Sequence, residues 1–349
     1  MEKRYGFGIV GAGIIAHIHA QAIRAIPGAE LKGIYNTGTA KAAAFAETHG
    51  CKAHPALESL LADPEIDIIC VCTPSGSHLE PALAAIGAGK HCLVEKPLEI
   101  TPDRCDRIIA AARRAHVQLG VVFPSRYYDE SRRLKQAIGE GRFGTLCLGS
   151  AYVKWSRTHE YYQSGKWRGT WQFDGGGALM NQGIHSVDLL QWYMGPVQKV
   201  QAFATRRLHK EIEAEDTLVA IMHFVNGALG ALECSTAVFP GSPRRIEILG
   251  TGGTAVLEET SFVKWQFREP APGPAENSRA AILGGAANPA DIGYWAHQKQ
   301  LADFIDAIEK DRLPLVDGTE GRKAVEIVTA IYESARTGNP MELHSNTNL

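Results

Sequence analysis

The sequence predicts an α/β protein of two domains, a doubly wound parallel sheet in residues 1–122 and an α+β domain with a large, mostly antiparallel open sheet in residues 123–349. Up to residue 123, short apolar runs alternate with helix-length amphipathic segments, which is typical of parallel strands joined by helices. Beyond it, longer runs with a two-residue polar–apolar period follow without a helix between each pair. A chain of 349 residues is also longer than one ordinary domain requires.

The first domain alternates strands and helices because parallel neighbours need a crossover, and that crossover is usually a helix. The predicted strands are Tyr5–Val10, Glu30–Tyr35, Ile66–Cys72, His91–Val94 and Gln118–Phe123. The predicted helices lie near residues 14–26, 39–49, 56–62, 78–89 and 102–115.

The second domain has longer strands and fewer helices. Its predicted strands are Leu146–Trp155, Lys199–Thr205, Thr217–Val225, Leu229–Ser235 and Ile246–Leu249. The predicted helices are 129–140, 178–194, 296–310 and 319–336, and residues 268–295, rich in Pro, Gly and Ala, are predicted to form a loop. Because these helices can cover only one face of the sheet, the other face would expose an apolar patch, and we expect a homodimer or homotetramer.

Charge and composition exclude several partners. The chain has 36 basic and 38 acidic residues, so its net charge of −2 gives no electrostatic reason to bind nucleic acid or an anionic membrane. No apolar run suggests a signal segment or a membrane span, so a cytoplasmic protein is expected. The seven scattered cysteines are expected to be reduced thiols, and no metal ligands are predicted.

A glycine-rich turn, Gly-Ala-Gly-Ile-Ile-Ala at residues 11–16, joins the first predicted strand to the first helix. In such a turn the first glycine allows the bend, the second lets a pyrophosphate approach the backbone, and the helix N-terminus attracts the anion. Strand, turn and helix in this order predict a Rossmann domain that binds a dinucleotide. The predicted contacts from this turn are Gly11, Gly13, Ile14 and Ile15.

The choice of cofactor depends on Asn36, at the end of the second predicted strand, where an acidic residue commonly holds the ribose 2′-hydroxyl. Asparagine can bond the hydroxyls without repelling a 2′-phosphate, yet no arginine follows it to bind that phosphate. These residues favour NAD without excluding NADP. Thr73, Pro74 and His78, after the third predicted strand, are predicted to contact the cofactor, although a histidine at a helix start also suits bonding to the backbone.

The fourth predicted strand ends in Glu95-Lys96-Pro97, and this motif resembles the signature of the glucose–fructose oxidoreductase/inositol dehydrogenase (Gfo/Idh/MocA) family. The resemblance covers nearly the whole chain. It implies that Lys96 contacts the reacting hydroxyl and the nicotinamide ribose, with Glu95 beside the cofactor. The other segments that carry it are the glycine turn, Thr73-Pro74 with His78, residues 175–188 and residues 318–322.

The predicted helix 178–194 carries Asn181, His185 and Asp188, whose spacing places them on one helical face. The family that the chain resembles commonly has aspartate at the position of Asn181. Because an asparagine cannot accept a proton, the base needed for alcohol oxidation is predicted to be Lys96 or His185. A histidine on such a helix can also be a buried core residue with no catalytic role.

Residues 154–171 are dense in aromatic and cationic side chains, which suit stacking on sugar rings and bonding to hydroxyls or carboxylates. The same segment would also suit an interface between subunits. The charged turn 206–215 is expected to be solvated and is assigned no chemistry. The predicted substrate residues are Arg126, Tyr127, Lys154, Arg157, Tyr161, Trp167, Arg168, Asn181, His185 and Asp188.

Together these features predict reversible oxidation of a ring hydroxyl to a ketone, with a sugar, glycoside, nucleotide sugar or cyclic polyol as substrate. Lys96 is predicted to accept the proton, and His185 to position the hydroxyl or share that proton. Two alternatives belong to other classes: a redox-assisted glycosidase or lyase that retains its NAD, and a non-catalytic regulator that senses dinucleotide. The presence of Lys96 and His185 argues against the regulator.

Overall fold

The first sheet is parallel throughout and has the strand order β3-β2-β1-β4-β5-β6. The computed structural model describes residues 4–269 and 293–343. The strands are β1 (Tyr5–Val10), β2 (Ala29–Tyr35), β3 (Lys52–Ala53), β4 (Ile68–Val71), β5 (His91–Val94) and β6 (Leu119–Val121). The helices between them are α1 (Ile14–Arg24), α2 (Thr39–His49), α3 (Leu57–Leu61), α4 (Leu79–Gly87) and α5 (Pro102–Ala115).

This strand order is that of a Rossmann domain, so the predicted fold of the first domain is confirmed. β1 is buried along its whole length because helices cover both faces of a parallel sheet. Strand β3 was not predicted, since its two residues are exposed and carry no apolar signal.

The second sheet has eight strands among the described residues, in the order β13-β12-β11-β7-β10-β9-β8-β14. All neighbours are antiparallel except β7 and β10, which confirms the predicted, mostly antiparallel sheet. The strands are β7 (Leu146–Lys154), β8 (Val197–Thr205), β9 (Thr217–Phe224), β10 (Leu229–Ser235), β11 (Arg245–Gly250), β12 (Gly253–Glu258), β13 (Ser261–Phe267) and β14 (Met341–Glu342). The remaining helices are α6 (Asp129–Gly139), α7 (His159–Gln163), α8 (Ile184–Met194), α9 (Trp295–Glu309) and α10 (Gly318–Thr337).

The chain divides into two compact units, Met1–Pro124 with Ile292–Val325, and Ser125–Asp291 with Glu326–Leu349. These units differ from the predicted domains 1–122 and 123–349 because α9 packs on the first sheet: its Leu301 and Phe304 are buried in the same core as β1. The loop predicted for residues 268–295 lies largely outside the described residues. No helix in the described part of the chain is both long and apolar enough to cross a membrane.

The second sheet has one covered face and one exposed face. On the covered face, α8 packs so closely that a Cβ on Gly149 would lie 2.6 Å from Met194. On the other face, Phe203 of β8 and two apolar residues of β9 remain exposed: Phe203 is 75% exposed, Ile221 59% and Val219 48%. Since Phe203 and Val219 are cross-strand partners, these side chains form one apolar patch.

We expect this patch to mediate self-association, because contiguous apolar surfaces are rarely left open on monomers. Light scattering at micromolar concentration should give a mass of at least twice 37.8 kDa. Ile221→Lys should shift the mass toward the monomer, whereas Leu313→Lys, which alters a 68% exposed leucine of the first unit, should not. A wild-type protein of monomer mass would contradict this expectation.

Candidate functional site

The glycine turn has the backbone geometry that the sequence requires. Gly11 has φ +103°, and a Cβ there would lie 2.6 Å from the Cys72 carbonyl oxygen, so only glycine fits. Gly13 directly precedes α1, and among the described residues no atom lies within 4 Å of a Cβ built on it. Ile14 is 56% exposed. The start of α1 is therefore open to an anion, as a dinucleotide pyrophosphate requires.

Asn36 ties the end of β2 to this turn. Its side-chain oxygen accepts a hydrogen bond from the Ala12 N–H at 3.1 Å, and its amide group donates to the Gly38 carbonyl at 3.1 Å. The amide is half-buried and uncharged. An asparagine here therefore orders the turn, and it carries no charge that would select against a 2′-phosphate.

Replacing Asn36 with Asp should sharpen a preference for NAD over NADP. A carboxylate close to the 2′-phosphate of NADP would repel it, and we expect the ratio of the two dissociation constants to change by about tenfold, or about 1.4 kcal/mol. Asn36→Ala removes the amide without adding charge and should weaken both cofactors alike. Titration calorimetry with each cofactor measures the ratio; a clear wild-type preference for NADP would contradict the prediction.

His78 links the Thr73-Pro74 turn to the Glu95-Lys96-Pro97 turn within the first unit. The ring is 1% exposed, with Nδ1 2.8 Å from the Pro97 carbonyl and Nε2 2.9 Å from the Thr73 carbonyl. Both ring nitrogens are thus within hydrogen-bond distance of backbone carbonyl oxygens. His78 would therefore affect cofactor binding by fixing the conformation of the two turns. Direct contact with a cofactor stays a prediction.

A buried cluster that sequence analysis missed surrounds Glu95. Its Oε1 lies 2.8 Å from Nε2 of His19 on α1 and 3.9 Å from Nε2 of His297 on α9, and its Oε2 accepts from the Lys96 N–H at 3.1 Å. Burial alone would raise the pKa of Glu95, but the bond to His19 and the charges of His19, His297 and Lys96 together lower it. Burial lowers the pKa of His297 to about 4. An ionised Glu95 therefore holds the backbone that carries Lys96.

The second unit contains the segment 175–188. Glu215 and Tyr332 lie so close to Gly176 and Gly177 that no larger side chain fits at these two positions. The Glu215 carboxylate accepts backbone N–H groups of Gly177 at 3.1 Å and Leu179 at 2.7 Å, at the start of the helical segment. The same Gly177 N–H also donates to the Tyr332 hydroxyl at 3.1 Å, so this hydrogen bond is bifurcated. A Cβ on Gly177 would lie 1.8 Å from the Glu215 carbonyl oxygen.

The expectation that the charged turn 206–215 is solvated is wrong for Glu215, which is 5% exposed. Burial raises the pKa of Glu215 to about 7, although its backbone partners oppose that shift. Charge alone could not reveal this position, because its partners come from residues 177–179 and 332.

Asn181 lies in a π-helical turn, Leu179–Gly183, that precedes α8. Its amide donates to both oxygens of Asp174, at 2.8 Å and 3.1 Å, and Asp174 also accepts the Gly169 N–H at 2.8 Å. The buried Asp174 was not predicted. It supplies a carboxylate beside Asn181, and π-helical turns often mark functional sites. His185 is half-buried one turn further on.

Arg126 and Asp188 form a buried ion pair within the second unit. The guanidinium donates to the carboxylate through Nε at 2.9 Å and through Nη2 at 2.6 Å, and each residue is 1% exposed. Arg126 also lies over the Trp192 ring, at 5.2 Å from its centroid, and Tyr127 is 1% exposed. These side chains are buried and contact other residues of the second unit. Their contact with a substrate therefore stays a prediction.

Four predicted residues of the segment 154–171 form one cluster, Arg157, Tyr161, Trp167 and Arg168. The guanidinium carbons of Arg168 and Arg157 lie 4.3 Å and 5.4 Å from the Tyr161 ring centroid, and Arg168 also lies 5.4 Å from the Trp167 ring. Gln182 donates to the Tyr161 hydroxyl at 2.9 Å and to the Asn181 side-chain oxygen at 3.3 Å.

Gln182 therefore joins this aromatic and cationic cluster to the Asn181 turn, and contact of the cluster with a substrate stays a prediction. Burial raises the pKa of Tyr161, so its hydroxyl stays protonated. Lys154 does not join the cluster, because its amine pairs with Glu233 at 2.6 Å.

Comparison with known proteins identifies the family of both parts of the chain. Residues 5–123 match the oxidoreductase family with an NAD-binding Rossmann fold, and residues 131–256 match the GFO/IDH/MocA C-terminal domain. The structure of the WlbA dehydrogenase from Bordetella pertussis in complex with NADH and UDP-GlcNAcA is 33% identical, with a TM-score of 0.87 over 98% of this chain and 99% of that chain.

Curated relatives include myo-inositol 2-dehydrogenase of Thermotoga maritima, 29% identical over 96% of this chain and 98% of its own. Another is 1,5-anhydro-D-fructose reductase of Ensifer adhaerens, 28% identical over 97% of this chain and 98% of its own. The resemblance based on Glu95-Lys96-Pro97 and the glycine turn is confirmed. The chain belongs to the Gfo/Idh/MocA family of oxidoreductases and carries that family's NAD-binding Rossmann domain.

Proposed function

We propose that the protein oxidises a ring hydroxyl of a sugar, glycoside, nucleotide sugar or cyclic polyol to a ketone, with NAD as the hydride acceptor. The observation that carries this proposal is the fixed position of Lys96. It follows β5 at the carboxyl edge of the parallel sheet, where Rossmann domains bind their ligands, and its backbone is bonded to the buried Glu95. The relatives support the substrate class, since they include dehydrogenases of inositol and glucosides.

In the proposed reaction, one C–H bond and one O–H bond of the substrate break, and a C=O bond forms. A bound NAD would supply the acceptor for the hydride of the carbinol carbon. Lys96 takes the hydroxyl proton as general base, and His185 positions that hydroxyl or shares the proton. Asp174 orients Asn181 through two hydrogen bonds, and the aromatic and cationic cluster around Tyr161 contacts the sugar.

We further propose that an acidic nucleotide sugar is the first substrate to test. Arg157 and Arg168 beside the Tyr161 ring suit a carboxylate or a diphosphate, and the WlbA dehydrogenase structure contains UDP-GlcNAcA. This choice would make the protein a dehydrogenase of activated sugars rather than of free inositol.

The test is a panel of sugars, polyols, glycosides and UDP-sugars with NAD and with NADP, followed by absorbance of the reduced cofactor. At least one ring alcohol should give reduced NAD and an equal amount of ketone. Glycoside cleavage without net reduced NAD would favour the redox-assisted glycosidase. Tight dinucleotide binding without turnover of any member would favour a regulator.

A further inference from the structure

A second group of polar side chains in the second unit lies at the edge of the segment 154–171, which we call the substrate loop. It consists of His159, the first residue of α7, with His209 and Glu211 from the turn after β8. Glu211 Oε1 lies 2.7 Å from His159 Nδ1 and 3.6 Å from His209 Nδ1. One donor atom from each residue lies within 4.8 Å of the others. We call these residues the His159–His209–Glu211 cluster.

His209 is unusual because it is 1% exposed and neither of its ring nitrogens has a hydrogen bond within the described residues. Leaving a buried polar atom without a partner is unfavourable, and such atoms are rare in proteins. His78, equally buried, has a carbonyl within 3 Å of each nitrogen. The Nδ1 of His209 instead faces the Glu211 carboxylate at a distance too long for a hydrogen bond.

The backbone around the cluster is held in place independently of these side chains. The Asp216 carboxylate accepts the N–H groups of Arg207, Leu208 and His209, the last at 2.9 Å. Thr158 caps α7 by accepting the Tyr161 N–H at 3.3 Å. The ligand atoms are therefore presented by ordered backbone, which is what a preformed ion site requires.

We propose that the His159–His209–Glu211 cluster binds a divalent transition metal ion, with Zn²⁺ as its best match. Two imidazoles and one carboxylate are a ligand set that Zn²⁺ accepts, and its N and O ligands at 2.0–2.1 Å lie about 3.3 Å apart in a tetrahedral site. The distances from Glu211 Oε1 to His159 Nδ1 and to His209 Nδ1, 2.7 Å and 3.6 Å, lie on either side of that value. His159 is 55% exposed, so an ion can enter from solvent.

The ion would join two segments of the chain. His159 belongs to the segment 154–171, and His209 and Glu211 belong to the turn 206–216, which already contacts that segment where Glu213 accepts the Trp171 N–H at 2.9 Å. If the proposed function is correct, the ion stabilises the substrate loop that carries Arg157 and Tyr161. Metal binding itself does not depend on that function.

Titration calorimetry with ZnCl₂ on the full-length, tag-free protein, after dialysis against a chelator, tests the proposal. One equivalent should bind to the wild type, and His159→Gln and Glu211→Gln should each weaken binding by about tenfold or more. His223→Gln removes a histidine that bonds to Gln198 on the same sheet and should leave binding unchanged. The proposal would be overturned if the wild type showed no saturable binding of Zn²⁺. It would also be overturned if His159→Gln and Glu211→Gln bound Zn²⁺ with the same affinity as the control His223→Gln.

A second readout separates this site from non-specific binding. Co²⁺ in a tetrahedral nitrogen–oxygen site absorbs visible light much more strongly than octahedral aqueous Co²⁺, and that strong absorption should disappear in His159→Gln. Zn²⁺ should also slow amide exchange in residues 158–164 of the wild type only. These measurements need no substrate, so failure of the proposed oxidation would leave them intact, and their failure would leave the oxidation intact.

Discussion

Lys96→Met should lower kcat by about 10²–10⁴ while leaving the dissociation constant of NAD within several-fold, because general-base catalysis contributes an effect of this size. The methionine keeps most of the side-chain volume and removes the amine. The glycine turn at the start of α1 does not involve Lys96, so binding of the pyrophosphate should persist. The Glu95 contact should also persist, since it is made to the Lys96 backbone N–H.

Paired calorimetry and steady-state kinetics on Lys96→Met and His185→Ala measure this difference. His185→Ala should lose less turnover if the histidine only positions the hydroxyl. Lys52→Met, at a lysine whose side chain is 67% exposed, is the matched control and should have wild-type kinetics. Near-normal turnover by Lys96→Met would show that the base is another residue and make His185 the leading candidate.

Asp188→Ala should lower the free energy of unfolding by about 3–5 kcal/mol, since removing one partner of a buried ion pair leaves the other charge without compensation. Arg126 would then be a cation 1% exposed, with two of its hydrogen bonds lost. Denaturant unfolding followed by circular dichroism measures the change through the transition midpoint and slope.

The double variant Arg126→Met with Asp188→Leu tests the cause. If the destabilisation comes from an uncompensated charge, the double variant should be more stable than Asp188→Ala, because apolar replacement of both partners of a buried pair is often neutral. Equal destabilisation in both would show that packing around Trp192, rather than charge, determines the loss. A loss below about 1 kcal/mol in Asp188→Ala would mean that solvent reaches the pair.

The elements of the first domain other than β3 could be predicted because their signals are local. The strand Tyr5–Val10 is uniformly apolar, and Gly11 must adopt a positive φ where β1 turns toward α1, so both features are visible within a few residues. Asn36 could also be placed from local sequence, because it directly follows the predicted strand that corresponds to β2. Strand β14 has only two residues, and its pairing with β8 depends on contacts that no local pattern shows.

The parts of the site that were missed depend on residues distant in sequence. Glu95 is held by His19 and His297, which are 76 and 202 positions away, and no spacing rule links them. Spacing within 178–194 placed Asn181 and Asp188 on one helical face, but the π-helical turn interrupts the regular period, and their side chains bond to Asp174 and Arg126 instead. A carboxylate therefore lies next to Asn181, but it belongs to Asp174.

The central claim is that the carbinol carbon of a substrate ring alcohol loses hydride to NAD, and isotope transfer tests it most directly. The best substrate from the panel would be prepared with deuterium on the carbinol carbon, and the products would be analysed by mass spectrometry. The account predicts one deuterium in each molecule of reduced NAD and an equal amount of ketone, with neither formed by Lys96→Met at a comparable rate. Product formed without deuterium in the reduced cofactor, or cleaved glycoside without net reduced cofactor, would contradict it.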